Sequence, residues 1–209
     1  MTILALEFYS ARRSVALARG GVVLAEAVEQ SESRETHAFK LIESVLAEAK
    51  LSRSEITAMA IGLGPGSYTG IRAAIALAQG WQLATQVKLL GISSADALAV
   101  QAQTQKRFGR INVVIDAQRR EFYLATWQIS RGTRSLLEPL KIVTAAEMEA
   151  RRACGEVFIG PEQEPRFFPQ AATLAQLAAS RTDFSDGATL APIYLRATTF
   201  VKAGGIRSI

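Results

Sequence analysis

The stretch that decides the fold runs over residues 56–85 and reads ITAMAIGLGPGSYTGIRAAIALAQGWQLAT. Its opening, Ile56–Leu63, is an apolar run with the length and composition of a buried strand. The segment Gly64-Pro65-Gly66-Ser67-Tyr68-Thr69-Gly70 then supplies glycines for a tight connection, and Ile71 to about Thr85 has the length of a helix. A strand, a glycine-rich connection and a helix in this order indicate an α/β fold.

The flanking segments extend this pattern in both directions. Upstream lie three apolar runs of strand length, the last two joined by Gly20-Gly21, which is typical of a hairpin, and then an amphipathic helix. Downstream lie a further strand and a helix that Ser93 is expected to cap. The predicted strands are 3–8, 14–19, 22–28 and 87–92, and the predicted helices are 35–50 and 95–105.

The second half of the chain opens as the first half does. An apolar strand at 111–115 ends in Asp116, and a turn with two arginines leads into a return strand at 121–129. The first half has the same order around Glu7. We interpret this as an internal duplication, with chance recurrence as the alternative. The predicted lobes are 1–106 and 107–209, and the later predicted elements are strands at 135–143 and 157–160 and helices at 145–152 and 171–180.

The composition excludes several classes of protein. The 209 residues are 49% hydrophobic and 21% charged, which is typical of a globular chain that can bury a core. Cys154 is the single cysteine and His37 the single histidine, so we expect neither an intrachain disulfide nor a multi-histidine metal site. No GxSxG segment accompanies His37, which argues against a serine-hydrolase triad. Glu7 interrupts the first apolar run too early for a signal peptide, and we expect a cytoplasmic protein without a membrane span.

The positive charge lies in the second half. Residues 1–104 have nine Lys and Arg and nine Asp and Glu, whereas residues 105–209 have fifteen and ten, which accounts for the net charge of +5. No basic run is longer than two residues, so a solvated surface and a contact with an anionic partner such as RNA both stay open. We expect any contact with tRNA to be indirect or weak.

The glycine-rich segment is the first candidate site. It follows a strand and opens a helix, where backbone amides and the helix dipole favour phosphate. Gly70 is followed by Ile71 and Arg72 and not by Lys and Ser or Thr, so the segment is not a P-loop. The glycines could serve the local fold alone, or the loop could contact phosphate, nucleotide or a partner. The candidate residues of this nucleotide or interface loop are Gly64, Gly66, Ser67, Tyr68, Thr69 and Gly70.

Glu7 and Asp116 form the second candidate site. Each ends a predicted strand, where a carboxylate could hold a magnesium ion and its waters. Two such strand ends facing one cleft would make a small actin-like phosphotransferase or ATPase. The alternative is that both are turn carboxylates paired with the nearby arginines.

The helix at 71–85 is apolar nearly all round. Such a helix needs cover on two faces, one from its own sheet and one from another element or a partner chain. The sequence leaves open which of these two covers the second face of this helix.

Several motifs, in order, resemble one family. GPGSYTGIR at 64–72 closely resembles the GPGSFTGLR signature of the TsaB (YeaZ) family of tRNA threonylcarbamoyladenosine biosynthesis proteins. ILALE at 3–7 resembles the ILAIDT opening of that family, and DAQRREFY at 116–123 resembles its DARRGEVY segment. The remaining matches are His37 with Leu41 in the first helix, GISS at 91–94 and PIYLR at 192–196.

The resemblance implies an actin-like (ASKHA, RNase H-like) fold of two related lobes, with mixed sheets flanked by helices. It implies a subunit without catalytic residues, an inactive paralogue of TsaD, that binds and activates TsaD for threonylcarbamoyl transfer to the adenosine beside the tRNA anticodon. TsaE would join through the complex, and the chain alone would form a homodimer. The resemblance implies no cofactor of its own, with ATP or ADP at the interface shared with TsaD.

The resemblance also implies that the first two helices form the partner interface. One departure concerns the opening strand: the family commonly has Asp-Thr-Ser where this chain has Glu7-Phe8-Tyr9-Ser10, so bulky aromatics replace small phosphate-contacting groups. This departure weakens a nucleotide site in the first lobe and leaves partner binding untouched. The candidate interface residues are His37, Leu41, Val45, Arg72, Ala76 and Gln79.

Overall fold

The computed structural model describes residues 1–30 and 37–196. Two sheets carry the described chain, with helices against them. The strands are β1 (Thr2–Glu7), β2 (Arg12–Arg19), β3 (Val22–Gln30), β4 (Ala58–Gly62), β5 (Lys88–Ile92), β6 (Gly109–Asp116), β7 (Glu121–Ile129), β8 (Arg134–Thr144) and β9 (Val157–Ile159). The helices are α1 (Ala38–Ala49), α2 (Tyr68–Thr85), α3 (Ser94–Thr104), α4 (Ala145–Ala153) and α5 (Ala171–Ala179).

The first sheet has the strand order β3-β2-β1-β4-β5. The strands β1, β2 and β3 form an antiparallel meander, and β4 and β5 run parallel to β1. Side chains alternate between the two faces: Leu4 and Leu6 pack towards α1 and α2, whereas Ile3 and Ala5 pack towards α5. Because both faces are covered, β1 is buried along its whole length.

The second sheet repeats the first one in part. Its strand order is β8-β7-β6-β9, with β6, β7 and β8 antiparallel and β9 parallel to β6. This is the order of β3-β2-β1-β4, and it confirms the duplication and the mixed sheets of an actin-like fold. A Gly-Pro pair follows β4 and β9, the equivalent parallel strands of the two sheets, at Gly64-Pro65 and at Gly160-Pro161.

Two helices connect the halves of the molecule. The helix α3 contacts β6, β7 and β8, and its Ala97 belongs to the core cluster on the first sheet, so α3 lies between the two sheets. The helix α5 comes from the second half of the chain but packs on β1 and β2 of the first sheet. There the amide of Ala171 donates to Ser14 Oγ at 2.8 Å. The chain thus returns to the first sheet after leaving it, and the division at 106/107 stays a prediction.

The predicted elements are confirmed with small shifts at their ends. Helix α2 begins at Tyr68, three residues earlier than predicted, because Ser67 caps it: Ser67 Oγ accepts from the Gly70 amide at 3.3 Å. The predicted start of the first helix at Glu35 lies outside the described residues. Within residues 1–30 and 37–196, no helix has the length and apolar character that crossing a membrane requires.

Candidate functional site

A cleft lies between the carboxyl ends of β1 and β6. Its volume is about 510 Å³, and both halves of the chain contribute to its walls. One wall is formed by the start of α2, and the other by the end of β6 and the turn that follows it. The polar and aromatic residues of this cleft include Tyr9, Ser67, Tyr68, Asp116, Tyr123 and Glu162.

The glycines of the loop allow it to lie directly on the end of β1. A Cβ atom at Gly66 would lie 2.5 Å from the carbonyl oxygen of Tyr9, and one at Gly70 would lie 2.1 Å from that of Phe8. The Ser67 amide donates to the same Tyr9 oxygen at 2.6 Å. These contacts give Gly66 and Gly70 a role in packing that needs no ligand. A nucleotide or partner contact through residues 64–70, including the exposed Tyr68 and Thr69, stays a prediction.

The PIYLR segment joins the loop to the second sheet. The ring of Tyr194 stacks on Tyr68 with centroids 5.5 Å apart, and the Ile193 amide donates to the Leu63 carbonyl at 2.8 Å. Arg196 donates to the Ala117 carbonyl at 3.2 Å and also pairs with Glu121. Three motifs that are far apart in sequence therefore meet at the cleft. Sequence reasoning singled out each motif, but nothing in their spacing predicts that they touch.

Glu7 lies behind the cleft and does not line it. Its side chain is 0% exposed, and its carboxylate accepts from Ser94 Oγ at 2.9 Å and from the Tyr9 amide at 3.2 Å. Burial raises the pKa of Glu7 to about 7, although both hydrogen bonds lower it. The structure thus corrects the prediction that Glu7 and Asp116 face one cleft, because β4 and α3 close over Glu7.

Asp116 is open to the cleft. Its carboxylate accepts from the amide and from the side-chain nitrogen of Gln118, at 2.8 and 2.7 Å. Gln118, Arg119 and Arg120 all have positive φ angles, of 63°, 58° and 61°, and so this turn is left-handed throughout. In the described part of the chain, no three His, Cys, Asp or Glu side chains group as a metal ion would need.

A second concave surface lies on the first two helices, away from the cleft. We call it the α1–α2 groove; its volume is about 540 Å³. Phe39 stands at its edge with 62% of the residue exposed, and Leu83 on the same helix pair is 82% exposed. Its apolar lining residues are Phe39, Ala76, Leu77, Gly80, Trp81 and Ala84.

The six candidate interface residues differ in how exposed their side chains are. Arg72 and Ala76 are exposed, and Gln79 is half-buried with its amide donating to the Gly187 carbonyl at 2.8 Å. His37 is exposed and its Nδ1 lies 2.7 Å from Glu29 Oε1. For these four the partner contact stays a prediction.

Leu41 and Val45 require a correction. They are 9% and 0% exposed and belong to the core beneath α1, so Val45 offers no surface to a partner in this conformation and Leu41 very little. The apolar stripe of α1 faces its own sheet, and Phe39, outside that stripe, is the exposed apolar residue. No periodic signal identifies Phe39, because a single apolar residue on the polar face breaks the pattern.

Comparisons with known proteins agree with this geometry. The family model for TsaD, the tRNA N6-adenosine threonylcarbamoyltransferase, matches residues 3–182. The TsaB protein of Escherichia coli K12 is 32% identical over 128 residues, which are 61% of this chain and 55% of that protein. The TsaB protein of Bacillus subtilis 168 is 27% identical over 148 residues, which are 70% and 64%. The chain therefore spans less than two thirds of the length of these curated relatives.

A solved structure supports the fold. YeaZ from Pseudomonas aeruginosa superposes with a TM-score of 0.77 at 24% identity, over 93% of this chain and 99% of that one. The strand order, the motifs at the cleft and these matches lead to one conclusion. The chain belongs to the family that the threonylcarbamoyltransferase model describes and, within it, to the TsaB (YeaZ) proteins.

Proposed function

We propose that this chain is a subunit without catalytic residues that binds and activates TsaD for threonylcarbamoyl transfer to the adenosine beside the tRNA anticodon. The observation that carries the proposal is the α1–α2 groove, an apolar surface on two adjacent helices. Exposed aromatic and aliphatic side chains such as Phe39 and Leu83 are costly in water and are typical of a surface that a partner covers.

Helix α2 has the shape that a close helix contact needs. Ala76, Gly80 and Ala84 are spaced by four residues, and they lie on one side of the helix in the groove. A Cβ atom at Gly80 would meet no atom within 4 Å, so nothing in the described chain requires a glycine there. Glycine inside a helix costs about 1 kcal/mol relative to alanine. A partner backbone that approaches α2 closely would explain this cost.

The residues available for chemistry also favour a supporting role. Glu7 is sealed from the cleft, and the single histidine, His37, lies on the surface with Glu29. In this proposal TsaD supplies the catalytic residues, TsaE joins through the complex, and any ATP or ADP binds at the interface shared with TsaD. The chain alone would form a homodimer through the same groove, contact tRNA only indirectly or weakly, and work in the cytoplasm.

The test measures the mass of a complex in solution. The purified chain is mixed with its cognate TsaD, and the stoichiometry is determined by light scattering for the wild type, Ala76→Glu and Ala150→Glu. Ala76 lies in the groove, whereas Ala150 is an exposed alanine on α4, so the two variants add the same charge at two places. We expect a stable complex for the wild type and Ala150→Glu, and its loss for Ala76→Glu.

Two results would overturn the proposal. One is the absence of a complex with TsaD under every nucleotide condition. The other is nucleotide turnover by the isolated chain that Asp116→Asn abolishes, because it would favour the phosphotransferase alternative acting from the cleft.

A further inference from the structure

Helix α2 has a single charged residue. Of its 18 residues only Arg72 is charged, and Arg72 is exposed. It precedes Ala76 by four residues, which is about one helical turn. Arg72 therefore continues, beyond the α1–α2 groove, the ridge of small residues formed by Ala76, Gly80 and Ala84. A partner that lies along this ridge also covers the position of Arg72.

An aromatic stack holds the guanidinium of Arg72. Its Cζ atom lies 5.2 Å from the centroid of the Tyr68 ring, which is within the range of a cation–π contact. Tyr68 in turn stacks on Tyr194, with an angle of 22° between the two rings. A guanidinium that lies over a ring uses its face, so the N–H groups along its edge stay available for a planar acceptor such as a carboxylate.

The second half of the chain builds part of this stack. We call residues 185–196, which cross from the edge of the first sheet to the second sheet, the strap. The amide and the carbonyl of Gly187 both bond to glutamine side chains of α2. At its other end, Arg196 pairs with Glu121 of β7. Because the strap is held at both places, Tyr194 has a defined position beside α2.

No acid of the described chain neutralises Arg72. Within residues 1–30 and 37–196, no carboxylate oxygen lies within 4.0 Å of its guanidinium nitrogens. An exposed guanidinium needs no counter-charge in water. Once a partner covers it, however, the loss of hydration is costly unless an opposite charge replaces the water. A partner on this ridge therefore needs an anionic acceptor opposite Arg72.

A carboxylate matches this surface better than an RNA phosphate does. Helix α2 has no second lysine or arginine, and the exposed residues on either side of Arg72, Thr69 and Ala76, are uncharged. Binding to a phosphate backbone relies on several basic side chains that follow one surface. A single arginine on an otherwise uncharged surface is typical of the centre of a protein–protein interface.

Building on the proposed function, we infer that TsaD places the carboxylate of an Asp or Glu side chain against Arg72. Tyr68 and Tyr194 position the guanidinium for this ion pair, so the strap takes part in partner recognition. The pair also fixes the register of the contact. Small residues recur every four positions on the ridge, and packing alone would allow the partner to shift by one helical turn, whereas the one charge on α2 allows a single register.

The first experiment detects the carboxylate directly. A carbodiimide joins a lysine amine to a carboxylate that touches it, and it does not react in this way with arginine. Arg72→Lys places an amine on α2, whereas the control Arg131→Lys places one in the exposed turn between β7 and β8. Complexes of each variant with TsaD are treated with carbodiimide, and the joined peptides are identified by mass spectrometry. We expect position 72 to be joined to an Asp or Glu of TsaD, and position 131 to none.

The second experiment measures affinity for TsaD by isothermal titration at low and at high salt. At low salt we expect Arg72→Gln to weaken binding about tenfold and Arg131→Gln to leave it unchanged. Salt should weaken binding of the wild type more than that of Arg72→Gln, because salt screens the ion pair.

Variants of Tyr68 separate positioning from direct contact. Tyr68→Phe keeps the ring beneath the guanidinium and should bind as the wild type does. We expect Tyr68→Leu to weaken binding about threefold when Arg72 is present, and to have no further effect in combination with Arg72→Gln. Additive effects of these two changes would show that Tyr68 does not act through Arg72.

Four results would overturn the inference. They are a complex of Arg72→Lys with TsaD that yields no product joined at position 72, a product that joins two copies of this chain, equal affinities of Arg72→Gln and Arg131→Gln, and binding of tRNA by the isolated chain that Arg72→Gln weakens. The absence of any complex with the wild type contradicts the proposed function as well. A wild-type complex that Arg72→Gln leaves unchanged overturns this inference alone.

Discussion

Glu7 and Asp116 occupy the same place in two related sheets and have opposite environments. Each ends the strand that has an antiparallel neighbour on one side and a parallel neighbour on the other. Glu7 is fully buried with a pKa of about 7, whereas Asp116 lines the cleft and binds Gln118. Equivalent topology therefore does not imply equivalent chemistry.

The difference in burial between Glu7 and Asp116 comes from the elements beyond β4 in the first sheet and beyond β9 in the second. In the first sheet β4 is followed by β5, and Ser94 at the start of α3 donates to Glu7. A Cβ atom at Gly62 would lie 2.4 Å from the Glu7 carboxylate, so only glycine leaves room for it there. In the second sheet β9 has three residues and is the edge strand, and no further strand of that sheet shields Asp116 among the described residues. A second parallel strand thus decides whether the strand end is sealed.

The largest effect is expected where the loop closes over the end of β1. Gly70→Ala would place a Cβ atom 2.1 Å from the Phe8 carbonyl, a backbone atom that cannot move aside alone. We expect the free energy of unfolding to fall by about 4 kcal/mol, as measured by urea denaturation. The matched control is Gly80→Ala in the same helix, which meets no atom within 4 Å and should stabilise the chain by up to about 1 kcal/mol. Equal effects of the two variants would contradict the close packing of the loop.

A smaller, pH-dependent effect is expected at Glu7. Burial raises its pKa from 4.5 to about 7, so the folded chain keeps a proton that the unfolded chain releases between these values. The free energy of unfolding therefore falls as the pH rises from 4.5 to about 7, and stability is greater on the acid side. Glu7→Gln removes this titration and should gain about 3 kcal/mol relative to the wild type between pH 4 and pH 8. Urea denaturation of both proteins at several pH values measures this difference in the free energy of unfolding. A difference that does not change with pH would show that Glu7 is not sealed from solvent.

The smallest effect is expected at Asp116. Asp116→Asn keeps an acceptor for the Gln118 amide and replaces the charged acceptor of the Gln118 side chain by a neutral amide group. We expect a loss of about 1 kcal/mol in urea unfolding at pH 7.5. A loss above ~3 kcal/mol would indicate that Asp116 is as enclosed as Glu7 and would remove the contrast between the two sheets.

The sequence predicted the positions of the strands and helices well, but it predicted less well which of their side chains are exposed. The apolar runs became β1 to β5 in the expected places, because a strand that is covered on both faces, such as β1 or β4, is apolar at successive positions. The stripe on α1 predicted a helix correctly, but it could not show that Leu41 and Val45 face the protein's own sheet. An apolar stripe looks the same whether a sheet or a partner covers it.

The helix α2 shows the same ambiguity. Ile71, Ala74 and Ala78 are fully buried, whereas Ala76 and Ala84 on another side of the helix are exposed. The apolar composition predicted two covered faces, and the described chain covers one of them.

What the sequence alone determined was the order of the elements, the repetition of strand, acid and return strand, and the motifs of the family. These features are local, since periodicity, turn residues and caps act over a few neighbours along the chain. What only the tertiary structure decided was which acid is sealed, and that Tyr68, Tyr194 and Arg196 meet at one cleft. Such contacts join residues 79 to 126 positions apart, and they depend on how two sheets and the returning chain pack together, which no local pattern encodes.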